Sequence, residues 1–104
     1  MFYSEKYRMP ASKIKNFLLK PNAKHAQEFF DVGYTVDDYE KLNKDIDEQF
    51  DISKATEFRY KNDIVDFSIY MFLGINKKKR FRTVWRNDTP GDKPRFITAY
   101  RKDE

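Results

Sequence analysis

Between residues 64 and 73 the chain reads IVDFSIYMFL, with apolar side chains at every second position. Val65, Phe67, Ile69, Met71 and Leu73 point one way, and Asp66, Ser68 and Tyr70 point the other. Side chains of a strand alternate between its two faces, so a period of two predicts a strand with one buried and one open face. ATEFRY at 55–60 is a shorter strand before it. Residues 79–87 and 95–102, joined by the turn-forming DTPGDKP, complete the series. Upstream of residue 52 the period is helical. Ser12 is placed to cap a first helix in which Ile14, Phe17 and Leu18 share a face and which stops at Pro21. A second helix runs from about Asn22, with Ala23, Ala26, Phe29 and Phe30 on one face and Gly33 at its C-terminal end. Thr35-Val36-Asp37-Asp38 resembles a capping box at the head of a third, in which Val36, Tyr39, Leu42, Ile46 and Phe50 recur at three and four. The other face of that helix, with Asp37, Glu40, Lys41, Lys44, Asp45, Asp47 and Glu48, reads as solvated. The expected fold is α+β in a single domain over 1–104, with three N-terminal helices over about 11–50 and a four-stranded antiparallel meander over about 55–102.

Composition narrows this further. A chain of 104 residues suits one core, and an aromatic share of 17% supplies the apolar area to order it despite 37% charged residues. The absence of cysteine excludes a disulfide scaffold, a thiol nucleophile and a thiolate metal site, and fits a reducing compartment. MFYSEKYRMP has no apolar segment of the signal-peptide kind, and no run approaches the roughly 18 apolar residues of a membrane span. No membrane partner and no cleavable leader are therefore expected. One histidine and scattered carboxylates give no metal-ligand spacing, and Gly33, Gly74 and Gly91 form no phosphate loop, so neither a metal nor a cofactor is expected.

The formal charge of +4 conceals a division along the chain. Residues 31–52 carry eight acids against two lysines, whereas residues 77–102 carry ten Lys/Arg against Asp88 and Asp92. A basic surface separate from an acidic one attracts a polyanion. The last hairpin concentrates this charge around two Thr-x-aromatic triplets, Thr83-Val84-Trp85 and Thr98-Ala99-Tyr100. If Asn87 pairs with Pro94, or within two residues of it, Phe81, Thr83 and Trp85 share a face with Phe96, Thr98 and Tyr100. Arg80, Arg82, Arg86, Arg95 and Arg101 then crowd the other face beside Val84, Ile97 and Ala99. Facing like charges repel by on the order of a few tenths of a kcal/mol per pair. Solvent and salt relieve that cost, or an anionic ligand does.

At these motifs the chain resembles a known kind of domain. The segments FLLKPNAKHAQEFF, RTVW and PRFITAYR, in this order over about residues 12–101, resemble a bacterial domain of the polymorphic-toxin type, with Arg101 standing where that family has proline. Helices followed by a small antiparallel sheet ending in Thr-x-aromatic are similar to the barnase, EndoU, colicin and RelE-like group of metal-independent ribonucleases. The resemblance implies cleavage of RNA, transfer RNA among its targets, by a monomer acting in the cytoplasm. It also implies delivery by secretion within a larger system and a cognate immunity or antitoxin protein as partner. Such cleavage uses the RNA 2′-hydroxyl and needs a base, an acid and positive charge. His25, Arg82, Thr83, Thr98 and Tyr100 are the candidate catalytic residues: His25 and Tyr100 for proton transfer, Arg82 for the phosphate, the threonines for phosphate oxygens. Lys24, Lys79, Arg80, Arg86 and Arg95 are candidate nucleic-acid contacts, with Trp85 a stacking platform. The same residues leave open a noncatalytic module. It would bind nucleic acid through the basic sheet, or act as an immunity or phage-type inhibitor that docks the acidic helix 36–50 on a basic protein.

Overall fold

The alternation at residues 64–73 becomes the central strand. The computed structural model describes residues 6–9, 14, 19–20, 23–89 and 91–102. Among them are four strands, β1 (Thr56–Lys61), β2 (Ile64–Leu73), β3 (Lys79–Asn87) and β4 (Arg95–Arg101), in one antiparallel sheet of order β1-β2-β3-β4. The fold is α+β, with a meander as its sheet. Phe67, Ile69, Met71 and Leu73 are buried and Val65 is half-buried, as a period of two requires.

Two α-helices are present among the described residues, α1 (Ala26–Asp31) and α2 (Tyr39–Gln49), where three were expected. The first expected helix, with Ser12, Phe17 and Leu18, lies outside the described residues apart from Ile14 and Leu19, both fully buried. The second is shorter than its apolar face suggested, because residues 23–25 form a turn that ends at His25, the residue capping α1. Thr35 caps as expected. Its hydroxyl accepts from the Asp37 N–H at 3.3 Å, and its own N–H donates to the Asp38 carboxylate at 2.8 Å. The turn so capped, Val36–Asp38, is a 3₁₀ turn that leads into α2.

One residue expected on the solvated face of α2 is buried. The Asp45 carboxylate accepts from the Tyr34 hydroxyl at 2.5 Å and from Lys41 Nζ at 2.7 Å, and the Tyr34 oxygen accepts from the Gly74 N–H at 3.1 Å. A buried carboxylate needs such partners. Burial, reinforced by the bond to Asp45, raises the Tyr34 pKa well above the ordinary tyrosine range. The chain of bonds ties α2 to the β2–β3 turn. That turn requires glycine at its first position, because Gly74 has φ +154° and a Cβ there would lie 1.6 Å from the Lys77 carbonyl oxygen.

The helices, with Tyr7 and Met9, pack on one face of the sheet. Trp85 sits at the centre of that layer, with ring centroids 4.8 Å from Tyr7, 4.7 Å from Phe50 and 5.3 Å from Phe96, while Phe29 stacks on Phe81 at 4.7 Å. Arg8 adds a short parallel bridge beyond β4, its N–H donating to the Pro94 carbonyl and its carbonyl accepting from the Phe96 N–H. At the other side β1 pairs only with the first part of β2, and the Gln49 amide takes its place further along by bonding both the N–H and the C=O of Phe72. Among the described residues no helix covers the second face of the sheet, which carries Asp66, Tyr70, Arg80, Arg82, Val84 and Arg86.

Candidate functional site

Two register shifts in the outer strands shape this open face. In β4, Val84 pairs with Thr98 but Trp85 pairs with Phe96, so Ile97 is an additional residue. One inserted residue reverses the orientation of everything after it. Thr98 and Tyr100 therefore lie in phase with Val84 and Arg82 on the open face, and Ala99 and Arg101 turn toward the helices with Thr83 and Phe81. The sequence-expected register had put Thr98 and Tyr100 with Trp85, and Arg101 with the other arginines; both placements are corrected. In β1 the shift falls between Thr56 and Arg59, and Glu57 adopts φ +56°, a left-handed conformation that is uncommon for a residue with a Cβ.

Arg82 is the centre of what results. Its Nε donates to Ser68 Oγ at 2.8 Å and lies 2.9 Å from Glu57 Oε1 as an ion pair, and its Nη1 donates to the Tyr100 hydroxyl. Tyr70 donates to the other Glu57 oxygen at 2.6 Å, and the Arg80 guanidinium lies over the Tyr70 ring at 4.0 Å. On the far side of Tyr100 the His25 ring stacks at 5.2 Å with an interplanar angle of 28°. His25 Nδ1 is 3.2 Å from Glu28 Oε1, and that oxygen also accepts the Arg101 backbone N–H at 2.9 Å. A helix cap, two inner strands and two outer strands thus converge on one chain of contacts, from His25 through Tyr100 and Arg82 to Glu57 and Tyr70. His25 and Arg82 remain partly exposed within it.

The arginines are not left to repel one another. Asp66 holds Arg86 through two bonds, at 2.6 and 3.0 Å, and Asp88 holds Arg95 at 3.0 and 3.2 Å. The carboxylates interleaved with these arginines, Glu57, Asp66 and Asp88, come from outside the acidic segment 31–52. The Tyr70 hydroxyl bond holds the Glu57 carboxyl below its ordinary value of 4.5, and the Arg86 bond holds Asp66 below 3.8. A carboxyl whose folded pKa is depressed contributes stability that is full above its unfolded value and lost as the pH falls through the folded one. Thermal midpoints are expected to fall on acidification below those ordinary values. A Glu57→Gln, Asp66→Asn double variant should show a shallower fall than the wild type, measured by circular dichroism across the acid range.

The structure brings His25, Arg82 and Tyr100 together and sets Thr98 on the same face. It separates Thr83 and Trp85 from them. Thr83 is fully buried, its hydroxyl donating to the Ile69 carbonyl at 2.6 Å and accepting from Trp85 Nε1 at 2.8 Å. Neither side chain reaches solvent, so the expected phosphate contact and stacking platform are corrected to a core pair. Arg80, Arg86 and Arg95 line the open face, and Lys24 is exposed beside His25. Lys79 pairs with Leu73 and so falls in phase with the helix-covered face. Sequence reasoning missed Glu57 and Tyr70. The polar phase of β2 pointed to Tyr70, but nothing in ATEFRY announced the bulge that delivers Glu57.

Residues 3–103 match the family described as a domain of unknown function, DUF6883. The chain belongs to this DUF6883 family. No curated protein and no solved structure matches it significantly. In this DUF6883 chain, no helix among the described residues is long and apolar enough to cross a membrane.

Proposed function

We propose that the open face of the sheet is the active site of a small metal-independent endoribonuclease that cleaves RNA by transesterification through the 2′-hydroxyl. One observation carries the reading: His25, Arg82 and Tyr100, which come from a helix cap and two strands, form one contiguous cluster on an uncovered surface. In the reaction the 2′-hydroxyl loses its proton to a base and its oxygen bonds to phosphorus. The 5′-oxygen then leaves with a proton from an acid. His25 is the proton-transfer group nearest the cluster's exposed edge. Arg82, held by Glu57, Ser68 and Tyr100, sets a fixed positive charge beside the charge that develops on phosphorus. Tyr100 supplies a second donor, and Thr98 lies next to it on the same face. Such an enzyme acts on cytoplasmic RNA, is delivered by secretion within a larger system, and has a cognate immunity or antitoxin protein in the cell that makes it.

The competing reading is a noncatalytic nucleic-acid-binding module. The observation in its favour is that Arg82, Arg86 and Arg95 already hold carboxylates, so the network is satisfied without a substrate. Product chemistry separates the two. An RNA oligonucleotide in excess chelator is expected to be cut to a fragment ending in a 2′,3′-cyclic phosphate, and the same oligonucleotide with hydrogen for the 2′-hydroxyl is expected to stay intact. Binding without any cutting would replace the enzyme by the module.

A further inference from the structure

Exposed apolar side chains gather at the outer strand β1. Among the described residues, four of the seven exposed large hydrophobics, Ile52, Phe58, Tyr60 and Ile64, belong to β1 or flank it. Phe58 is 50% exposed and Tyr60 76%, so the first is half in water and the second mostly so. Their rings are nearly parallel, at 16° with centroids 6.2 Å apart, and Phe67 supports Phe58 from the core side at 6.0 Å. Two rings in nearly parallel planes, one braced from behind, offer ordered aromatic faces that a mobile side chain does not.

The charges around this surface choose its occupant. From residue 51 to 63 Lys54, Arg59 and Lys61 stand against Asp51, Glu57 and Asp63; the Glu57 carboxylate is engaged by Tyr70 and Arg82, and that of Asp51 accepts from Ser53. In phase, Arg59 opposes Asp66 on the open face, whereas Tyr60 opposes Val65 on the other. Tyr60 also walls a groove of about 460 Å³ whose other sides include Ile52, Asn62, Asp63, Asn87 and Asp92. The two carboxylates there repel a phosphate but accept from the amino and imino groups of a base. Cations on one side of the strand, with aromatic rings and base-edge partners on the other, suit a strand of unpaired nucleotides that crosses the sheet edge.

We infer that Phe58 and Tyr60 form a stacking platform for unpaired nucleobases, one residue along the chain from the Glu57 that borders the Arg82 cluster. The inference deepens the proposed function and rests on its premise that RNA is the ligand: it names single-stranded rather than duplex RNA as the substrate class. Backbone phosphates run past Arg59 and the open face, and the bases turn over the edge onto the rings. Stacking tolerates any base, so sequence preference arises only from the groove beside Tyr60.

The test measures binding of an uncleavable single-stranded 2′-deoxy oligonucleotide and of its duplex by fluorescence anisotropy, with RNA cleavage assayed in parallel. Wild type is expected to prefer the single strand. Phe58→Ala and Tyr60→Ala should each weaken that binding by about ten-fold or more. Both side chains are exposed, so the variants should keep the wild-type circular dichroism, and Tyr60→Trp should retain affinity with its emission quenched on binding. Alanine variants that are folded and bind and cleave like wild type would overturn the platform and leave the ribonuclease standing; that is also the result expected of an edge that docks a protein. Wild-type binding that the variants lose, without cleavage by any of them, would keep the platform and remove the ribonuclease. A wild type that neither binds nor cleaves would overturn both.

Discussion

Replacing His25 with alanine is expected to slow RNA cleavage by about 10²- to 10⁴-fold, the usual contribution of a positioned proton-transfer group. The fold should survive it. His25 caps α1 without a side-chain capping bond, and its ring is partly exposed. What it loses is a stack on Tyr100 and a contact with Glu28, both at the margin of the cluster. The rate should therefore drop with little change in thermal midpoint, and one limb of the pH–rate profile should flatten. His25→Ala protein that cleaves at the wild-type rate, with its pH profile intact, would remove histidine from the chemistry.

Trp85→Ala is expected to do the reverse. The indole is fully buried among Tyr7, Phe50 and Phe96 and donates to the Thr83 hydroxyl. Truncating such a ring removes its burial and leaves a cavity, at about 3–5 kcal/mol. Domains of this size hold about 5–15 kcal/mol in all, so the variant should lose at least about a fifth of its stability, and its thermal midpoint should fall by more than about 10 °C. Urea titration measures this directly. A variant with wild-type stability and weakened RNA binding would return Trp85 to the surface as a platform.

The parts of this structure that were legible are those set by local periodicity. Alternation in IVDFSIYMFL placed the core face of β2, and Thr35 to Asp38 capped the start of α2 as their types suggest. The open face was legible only in part, because its composition depends on strand register. A single extra residue at Ile97 moved Thr98 and Tyr100 to the arginine side and took Arg101 off it, and hydrophobic pattern does not encode such an insertion. Asp45 matched a solvated helix face because its partner, Tyr34, lies on another segment. The bridge from Arg8 to β4 and the reach of Glu57 to Arg82 join positions far apart in sequence, and neither leaves a local mark. His25 stood out as the sole histidine, but only the packing of α1 against β4 sets it beside Tyr100.

The most direct measurement is to incubate the purified, folded protein with total RNA and with transfer RNA, in excess chelator, across about pH 5 to 9. Arg82→Ala and His25→Ala proteins are run beside it, and the products are resolved by gel. Cleavage by the wild type that both variants lose is the expected result. Intact RNA at every pH, with the wild type shown to be folded, would contradict the assignment of the Arg82 cluster as an active site.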